Sequence, residues 1–263
     1  MARKDKSVQI KRRAGDDDAA VSSRGDQLSK TRKAKRGSVA GQGLSKEIVL
    51  QAALNLIDKH GLDGFSMRVL AQDLDVYPTA IYWYVANKNA LLAEVVGLAL
   101  NALMPSAPPR DWERFLTELF QRYRAAIRKH PNIAPLIGAQ LVSNAGVDFG
   151  LVDRIVEALS EAGFSGDGLL SAFDVVIASM VGFVTMEFAN LPAEDASRWA
   201  DAMREKIDAI DESSFPHLHR YKRKFANRHF MLRWESGVTV PLDHSFNAYV
   251  EAALNGLKQL RRV

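Results

Sequence analysis

The sequence predicts an all-α protein, and three features of its 263 residues support this prediction. Apolar residues recur three and four positions apart through the long ordered stretches, and we find no strand-like alternation. Prolines and glycines fall between these stretches, where helices begin and end. Residues 66–84 fit two short helices that cross at a tight turn, a helix-turn-helix. We expect an N-terminal three-helix domain joined by a connecting helix to a larger helical domain.

Composition limits the classes of protein to consider. With 263 residues, 47% of them hydrophobic, the chain can bury one sizeable core and a small second domain. The absence of cysteine excludes disulfides, thiol catalysis and thiolate metal sites. The longest near-apolar run, residues 175–186, is too short to span a bilayer, and the N-terminus lacks an apolar signal segment. We therefore expect a cytoplasmic protein with no membrane partner.

Residues 1–43 form a basic arm. They carry twelve Lys or Arg against five Asp, a net charge of +7, so the remaining residues sum to −3 within the total of +4. The arm lacks aromatics and has few large aliphatics, so we expect it to be disordered. Its run KTRKAKRG, residues 30–37, suits either contact with nucleic-acid phosphates or a solvated tail. If it contacts DNA, deletion of residues 1–40 should weaken binding and flatten its salt dependence.

The first predicted helix begins at Leu44 and Ser45 and ends at Gly61, a residue that readily stops a helix. Its apolar stripe is Ile48, Val49, Ala52, Ala53, Leu56 and Ile57. No residue on its polar face suggests chemistry. We interpret this helix as a scaffold for the two helices that follow.

The helix-turn-helix begins at Ser66, whose hydroxyl can accept from a free backbone N–H, with Phe65 placed to pack on Leu70. Asp75 falls at the turn, where Asp tolerates a left-handed backbone better than a β-branched residue does. The residues that we expect to face inward on the first helix are Val69, Leu70 and Leu74.

The second helix of the pair starts at Pro78, whose fixed φ suits a first helical position. Ile81 and Val85 are expected in the core. The remaining residues form an outer surface of small and aromatic side chains, which suits a DNA major groove. These residues are Thr79, Ala80, Tyr82, Trp83 and Tyr84. A plain helical hairpin with packed aromatics would show the same local pattern.

The segments GFSMRVLAQDLDV and PTAIYWYVANKNALL resemble the DNA-binding domain of the TetR (tetracycline repressor) family. The similarity runs without gaps from Leu44 over roughly fifty residues. The resemblance implies double-stranded DNA as a partner and a helix-turn-helix domain over residues 44–90. The larger domain then covers residues 91–263.

The resemblance also implies roles for individual residues. Arg68 matches an Arg that contacts a base edge, a role that suits bidentate bonding to guanine. Lys88 matches a Lys that meets phosphate, and Tyr84 replaces a His. Tyr82 and Trp83 match aromatic residues of the family's recognition helix. The positions that differ most from the family are Pro78, Thr79 and Ala80. These differences imply that the operator differs from the tetracycline operator.

The connecting helix is expected from Lys88 to just before Pro105. Further helices are expected over residues 112–129 with Asp111 as a cap, 147–162, 167–189 and 194–211, and over a C-terminal stretch from Phe246 to Leu260. Residues 215–234 are basic and only loosely periodic. The family resemblance is weaker here, but it implies that helices 167–189 and 246–261 form a four-helix dimer interface. A homodimer would read a palindromic operator.

The effector site is inferred by position. Where tetracycline-binding members have a His, an Asn and a Phe, this chain has Met104, Leu119 and Tyr123. The loss of polar groups favours an unknown small-molecule effector that is largely apolar, without a metal or cofactor. Candidate lining residues, each of which also fits simple core packing, are Met104, Leu119, Tyr123, Gln140, Phe183 and Met186.

No pattern supports catalysis. GFSGDG, residues 163–168, departs from the nucleophile-elbow pattern and lies between helices, and His217 and His219 lack a metal-binding partner pattern. Two classes of function remain. One is a ligand-responsive repressor. The alternative is a helical small-molecule-binding protein or protein-interaction adaptor in which DNA binding is incidental, because residues 44–92 carry four basic and five acidic side chains.

Overall fold

The computed structural model describes residues 43–137, 148–189 and 195–261, and all its regular elements there are helices. This confirms the predicted all-α class. Residues Lys46–Val263 form one compact unit. The helices are α1 (Lys46–His60), α2 (Met67–Asp73), α3 (Pro78–Ile81), α4 (Lys88–Ala99), α5 (Trp112–Lys129), α6 (Phe149–Glu161), α7 (Gly166–Glu187), α8 (Ala196–Asp208), α9 (Pro216–Phe225) and α10 (Asp243–Leu260).

The turns around α1, α2 and α3 follow the predicted chemistry. Gly61 ends α1 with a positive φ of 69°. The Ser66 hydroxyl accepts from the backbone N–H of Val69 at 3.2 Å, which caps α2. Asp75 takes φ 56° between α2 and α3, and Pro78 occupies the first position of α3. The local sequence is therefore sufficient to place this turn.

Two expectations for this region are wrong. Val69 is 36% exposed rather than inward, because α2 has only seven residues and buries a narrow stripe on Leu70 and Ala71. The helix after Pro78 is a single turn that ends at Ile81. Residues 82–86 then lead to Asn87, whose side chain accepts from Ala90 N–H at 2.9 Å and starts α4. The aromatic residues 82–84 therefore lie in the turn after α3.

The connecting helix α4 packs on α1 and ends at Ala99, several residues before the predicted end at Pro105. Leu91 and Val95 are fully buried. In α5 the predicted apolar stripe is confirmed, and the buried residues are Phe115, Leu116, Leu119, Phe120, Tyr123 and Ile127. Asp111 precedes α5 as predicted but makes no side-chain capping bond; its backbone has φ −96° and ψ 64°.

The helices α7 and α10 pack together, and α7 also packs on α5 and α6. The buried stripe of α10 is Phe246, Val250, Leu254 and Leu257, whereas Leu260 is half exposed, contrary to prediction. Leu260 is the last residue of the helix, where the end of the element leaves it without cover. The basic segment, of which the sequence predicted little, forms α9 and a 3₁₀ turn, Phe230–Leu232.

Helix α7 is longer than its near-apolar run suggested. In the described part of the chain it is the one helix long and apolar enough to cross a bilayer, and 33% of its apolar window is buried. The near-apolar run 175–186 is one part of this helix, which extends back through Leu169 and Leu170 to Gly166, close to the predicted start at residue 167.

A buried ion pair joins α5 to the end of α7. Arg124 donates from Nε to Glu187 Oε2 at 2.7 Å and from Nη2 to Oε1 at 2.6 Å. The backbone N–H of Leu242 donates to the same Oε1 at 2.9 Å. The Glu187 side chain is completely buried, so these bonds compensate its lost hydration.

Candidate nucleic-acid interface and effector site

Two aromatic side chains stand out on the surface around α3. Trp83 is 87% exposed and Tyr77 is 84% exposed. They are held on a rigid base, because Ile81 and Leu70 are fully buried and Val85 nearly so. Exposed aromatics on one surface can form part of an interaction site. We name this surface, with Arg68 and Tyr82, the aromatic ridge.

The predicted DNA-contact residues differ in exposure. Arg68, Pro78, Thr79, Tyr82 and Trp83 are exposed, whereas Ala80 and Tyr84 are half-buried. Each exposed residue is therefore available to a partner.

Lys88 is exposed but tethered. Its ammonium donates to the Phe65 carbonyl oxygen at 3.5 Å and lies 5.7 Å from the centroid of the Phe65 ring. The Lys88 charge is therefore held beside Phe65, just before the Ser66 cap of α2. This position suits a phosphate-contacting residue at the edge of a recognition surface.

Tyr77 was missing from the predicted site. It precedes Pro78 and is held extended, with φ −73° and ψ 143°, at the N-cap of α3. A residue before a proline is restricted to such extended conformations, so its side chain projects from the helix start. That rule predicts the extended backbone of Tyr77 from the sequence, whereas the exposure of its side chain is seen only in the structure.

The predicted effector residues fall into three groups. Leu119, Tyr123 and Phe183 are buried, and Met104 and Met186 are exposed. Gln140 lies outside the described residues. Only Phe183 and Met186 line a described cleft together.

That cleft lies between α7 and α10 and has a volume of about 490 Å³. The Phe183 ring is at its centre, 5.0 Å from Phe230, 5.5 Å from Phe246 and 5.3 Å from Tyr249 between centroids. Its wall is largely apolar, with polar groups from His244 and Ser245. Such a surface suits an apolar or aromatic group with a few hydrogen bonds.

Tyr123 has a buried hydroxyl with no hydrogen-bond partner among the described residues. Burial raises the pKa of this phenol above its ordinary value, so it stays neutral and able to donate. A buried group of this kind is destabilising until a partner satisfies it. Tyr123 therefore retains a polar function that the position-based inference did not anticipate.

Among the described residues, no group of three or more His, Asp or Glu side chains could hold a metal ion. His217 and His219 lie in α9.

Hydrogen bonds link the end of α5, in the larger domain, to α1, which precedes the helix-turn-helix. His130, at the end of α5, and Asn132, in the 3₁₀ turn Pro131–Ile133, both bond to the last turn of α1. The sequence analysis missed this contact, because its partners are more than seventy positions apart, with separations of 72, 75 and 74.

Comparisons with known proteins agree with the two-part architecture. Residues 49–95 match the family model "Bacterial regulatory proteins, tetR family". Residues 104–237 match "Tetracyclin repressor-like, C-terminal domain". The class A tetracycline repressor from transposon 1721 in Escherichia coli is 31% identical over 189 residues, which cover 65% of this chain and 82% of that repressor.

Solved structures give the same result. ActR of Streptomyces coelicolor in complex with actinorhodin superposes with a TM-score of 0.62 and 21% identity, covering 82% of this chain and 96% of that one, which shows a common fold. BioQ with its double-stranded DNA operator superposes with a TM-score of 0.51 and 30% identity, covering 60% of this chain and 93% of that one.

Proposed function

Because this chain belongs to the TetR family of bacterial regulatory proteins, we propose that it is a ligand-responsive transcriptional repressor. In this proposal a cytoplasmic homodimer occupies a palindromic operator, and a small, largely apolar effector releases it. The matched family comprises DNA-binding regulators and not enzymes, so we assign no catalytic residue. The observation that carries the proposal is the aromatic ridge on its buried scaffold.

Direct reading of DNA is assigned to the aromatic ridge and its neighbours. Arg68 is the proposed base-edge contact, because a guanidinium can donate two bonds to one guanine. Tyr82, Trp83 and Tyr84 would contact sugars, methyl groups or phosphates beside it, and Lys88 would meet a phosphate. Pro78, Thr79 and Ala80 would set the approach of α3 and the preferred operator.

Dimerisation is assigned to the outer faces of α7 and α10. Leu170 is exposed on α7, although the helix is apolar enough to favour burial. On α10, small residues recur every four positions at Ala248, Ala252 and Gly256, and all three are exposed. Small side chains at helical spacing permit close approach of a second helix pair, and a two-fold dimer presents two reading heads to a palindrome.

Effector binding is assigned to the interior of the larger domain. Phe183 and Met186 border the aromatic cleft, and Leu119 and Tyr123 belong to the adjoining core of α5. The Tyr123 hydroxyl would supply the polar anchor, since it lacks a partner among the described groups. Met104 and Gln140 complete the proposed set.

Release requires the effector to bind one arrangement of the dimer more tightly than the other. Helix α4 and the contact of His130 and Asn132 with α1 both join the larger domain to the helix-turn-helix. A shift of α5 would therefore move α1, and with it the spacing of the two reading heads.

An electrophoretic mobility-shift assay on DNA upstream of the protein's own gene, with and without candidate effectors, tests the proposal. We expect a specific shifted band that an effector abolishes. Ligand binding without any specific DNA complex would favour the alternative, a helical ligand-binding protein or adaptor. The experiment must distinguish this alternative, because residues 44–92 have a near-neutral net charge instead of the positive charge that favours DNA binding.

A further inference from the structure

We infer that a second cleft, between α5 and α10, binds a small organic carboxylate. The cleft has a volume of about 380 Å³ and shares no lining residue with the aromatic cleft. Its α5 side presents Arg124, Arg128 and Lys129, and its α10 side presents Phe246 and Asn247. Three cationic side chains within six residues of one helix make it a positively charged site.

Arg124 is the fixed part of this cleft. Its two bonds to Glu187 hold the guanidinium in one orientation. The centre of the guanidinium lies 4.5 Å from the centroid of the Phe246 ring, which places a cation over an aromatic face. The site is therefore preorganised, because neither group has to be ordered when a ligand arrives.

Arg128 and Lys129 are the more exposed part, although the Arg128 guanidinium also pairs with Asp243 and lies 3.9 Å from Glu187 Oε1. Arg128 bonds to Asp243 Oδ1 at 3.0 Å through Nη2, while its Nε has no hydrogen-bond partner among the described atoms. Lys129 is exposed and forms no ion pair with any described carboxylate. The Arg128 Nε is itself buried, so the donors open to an additional anion are the Lys129 ammonium and the outer part of the Arg128 guanidinium, whose side chain is 38% exposed.

Asp243 already demonstrates the recognition chemistry. Its Oδ1 accepts from Arg128 and also from Arg124 Nη1 at 2.8 Å, and these bonds hold the pKa of Asp243 below its ordinary value. Its side chain is 64% exposed. A carboxylate from solution can therefore use the remaining donors, or replace Asp243 and leave it hydrated.

Charge and shape define the ligand class. Three cations face two carboxylates, Glu187 and Asp243, which leaves one positive charge uncompensated. Phe246 and Ala125 add apolar surface, and the volume lies in the lower part of the range for small-molecule sites. An aromatic or short aliphatic monocarboxylate satisfies both requirements.

Benzoate is the probe, and benzamide is the matched neutral control. Isothermal titration of the full chain should give saturable binding of benzoate and none of benzamide. Arg128→Gln and Lys129→Gln should each weaken benzoate about fivefold to tenfold, as expected for the loss of a bond to a charged group. Arg154→Gln, which removes an exposed cation on α6, should change nothing.

A second pair of variants makes the test specific. Asp243→Asn removes the competing carboxylate and should tighten benzoate about threefold or more, whereas Asp201→Asn, on exposed α8, should have no effect. Equal binding of benzamide, equal effects of Arg154→Gln and Arg128→Gln, or no saturation up to about 10 mM benzoate would overturn the inference. Because the assay contains no DNA, its outcome is independent of the proposed repressor function.

Discussion

The imidazole Nδ1 of His130 lies 2.7 Å from the carboxylate oxygen Oδ2 of Asp58, joining the end of α5 to the last turn of α1. Beside it, the amide of Asn132 donates to the carbonyl oxygens of Ile57 at 2.9 Å and Asp58 at 3.1 Å. The Ile57 carbonyl also accepts from the backbone N–H of Gly61 at 2.8 Å, so Asn132 adds a second bond there and supplies a donor to the Asp58 carbonyl in the last turn of α1. The DNA-binding helices and the larger domain are thus joined by side-chain chemistry as well as by the chain.

Asn132→Ala should therefore destabilise the protein. The variant removes two hydrogen bonds to α1, so the free energy of unfolding should fall by about 1–3 kcal/mol in urea titrations. Asn55→Ala is the matched control, because Asn55 is exposed and only accepts from Gln51 on the same helix. Its effect should stay within about 0.5 kcal/mol. Equal effects of the two variants would show that the contact contributes nothing.

Arg124→Ala should be among the most damaging substitutions. It removes both charge-assisted bonds to the buried Glu187 carboxylate and leaves only Arg128, 3.9 Å away, as an ion-pair partner; breaking a buried pair typically costs about 3–5 kcal/mol of unfolding free energy. Arg154→Ala removes an exposed pair with Glu157 and should cost no more than about 1 kcal/mol. Replacing Arg124 and Glu187 together by Met should cost less than Arg124→Ala alone. Thermal and urea unfolding of the three variants provide the measurement.

Asp243 should make stability depend on pH in the acid range. Hydrogen bonds from Arg128 and Arg124 depress the folded-state pKa of this carboxyl, so its contribution is complete above the unfolded-state value, about 3.9, and is lost as pH falls through the lower folded value. The difference in unfolding free energy between wild type and Asp243→Asn should be present at about pH 6 and shrink below about pH 4. A difference that stays constant across this range would contradict the assignment.

Gly256→Arg tests the proposed dimer face. A Cβ at Gly256 meets no atom within 4 Å in the single chain, so the subunit should still fold. A long charged side chain there should prevent a second α7 and α10 pair from packing closely. Sedimentation velocity at about 10 µM should show a dimer for wild type and a monomer for the variant, because a face of this kind must bury a large apolar area. The control variant Gln51→Arg, on the exposed side of α1, should remain dimeric. A wild-type protein that sediments as a monomer would contradict the proposed dimer face.

Local patterns in the sequence were sufficient for most elements. The apolar stripe of α5, the Ser66 cap and the left-handed Asp75 are all properties of neighbouring residues, and each was confirmed. Val69 was misplaced because a two-turn helix has too few residues to define its buried face. The end of α3 was misjudged because residues 82–86 form a turn that leads to the Asn87 cap, whereas α4 begins at Lys88 as predicted and ends earlier, at Ala99.

Contacts between distant residues could not be predicted in this way. Arg124 and Glu187 are 63 positions apart, and Asp58 and His130 are 72 apart, so no periodicity links them. The aromatic cleft depends on Phe230, which comes from the basic segment without a clear period. The surface aromatics were accessible to prediction, because burying Ile81 and Val85 leaves Trp83 on the outside. Their roles on DNA stay predictions.

The proposed reading of DNA by Arg68 is tested most directly by measuring operator affinity for wild type and Arg68→Ala across a full set of single-base operator variants. We predict that the substitution weakens binding to the preferred operator by about 1–3 kcal/mol and removes the preference at one base pair in each half-site. Arg114→Ala, an exposed arginine on α5, should leave both quantities unchanged. Unchanged affinity and an unchanged pattern of base preference for Arg68→Ala would contradict the assignment.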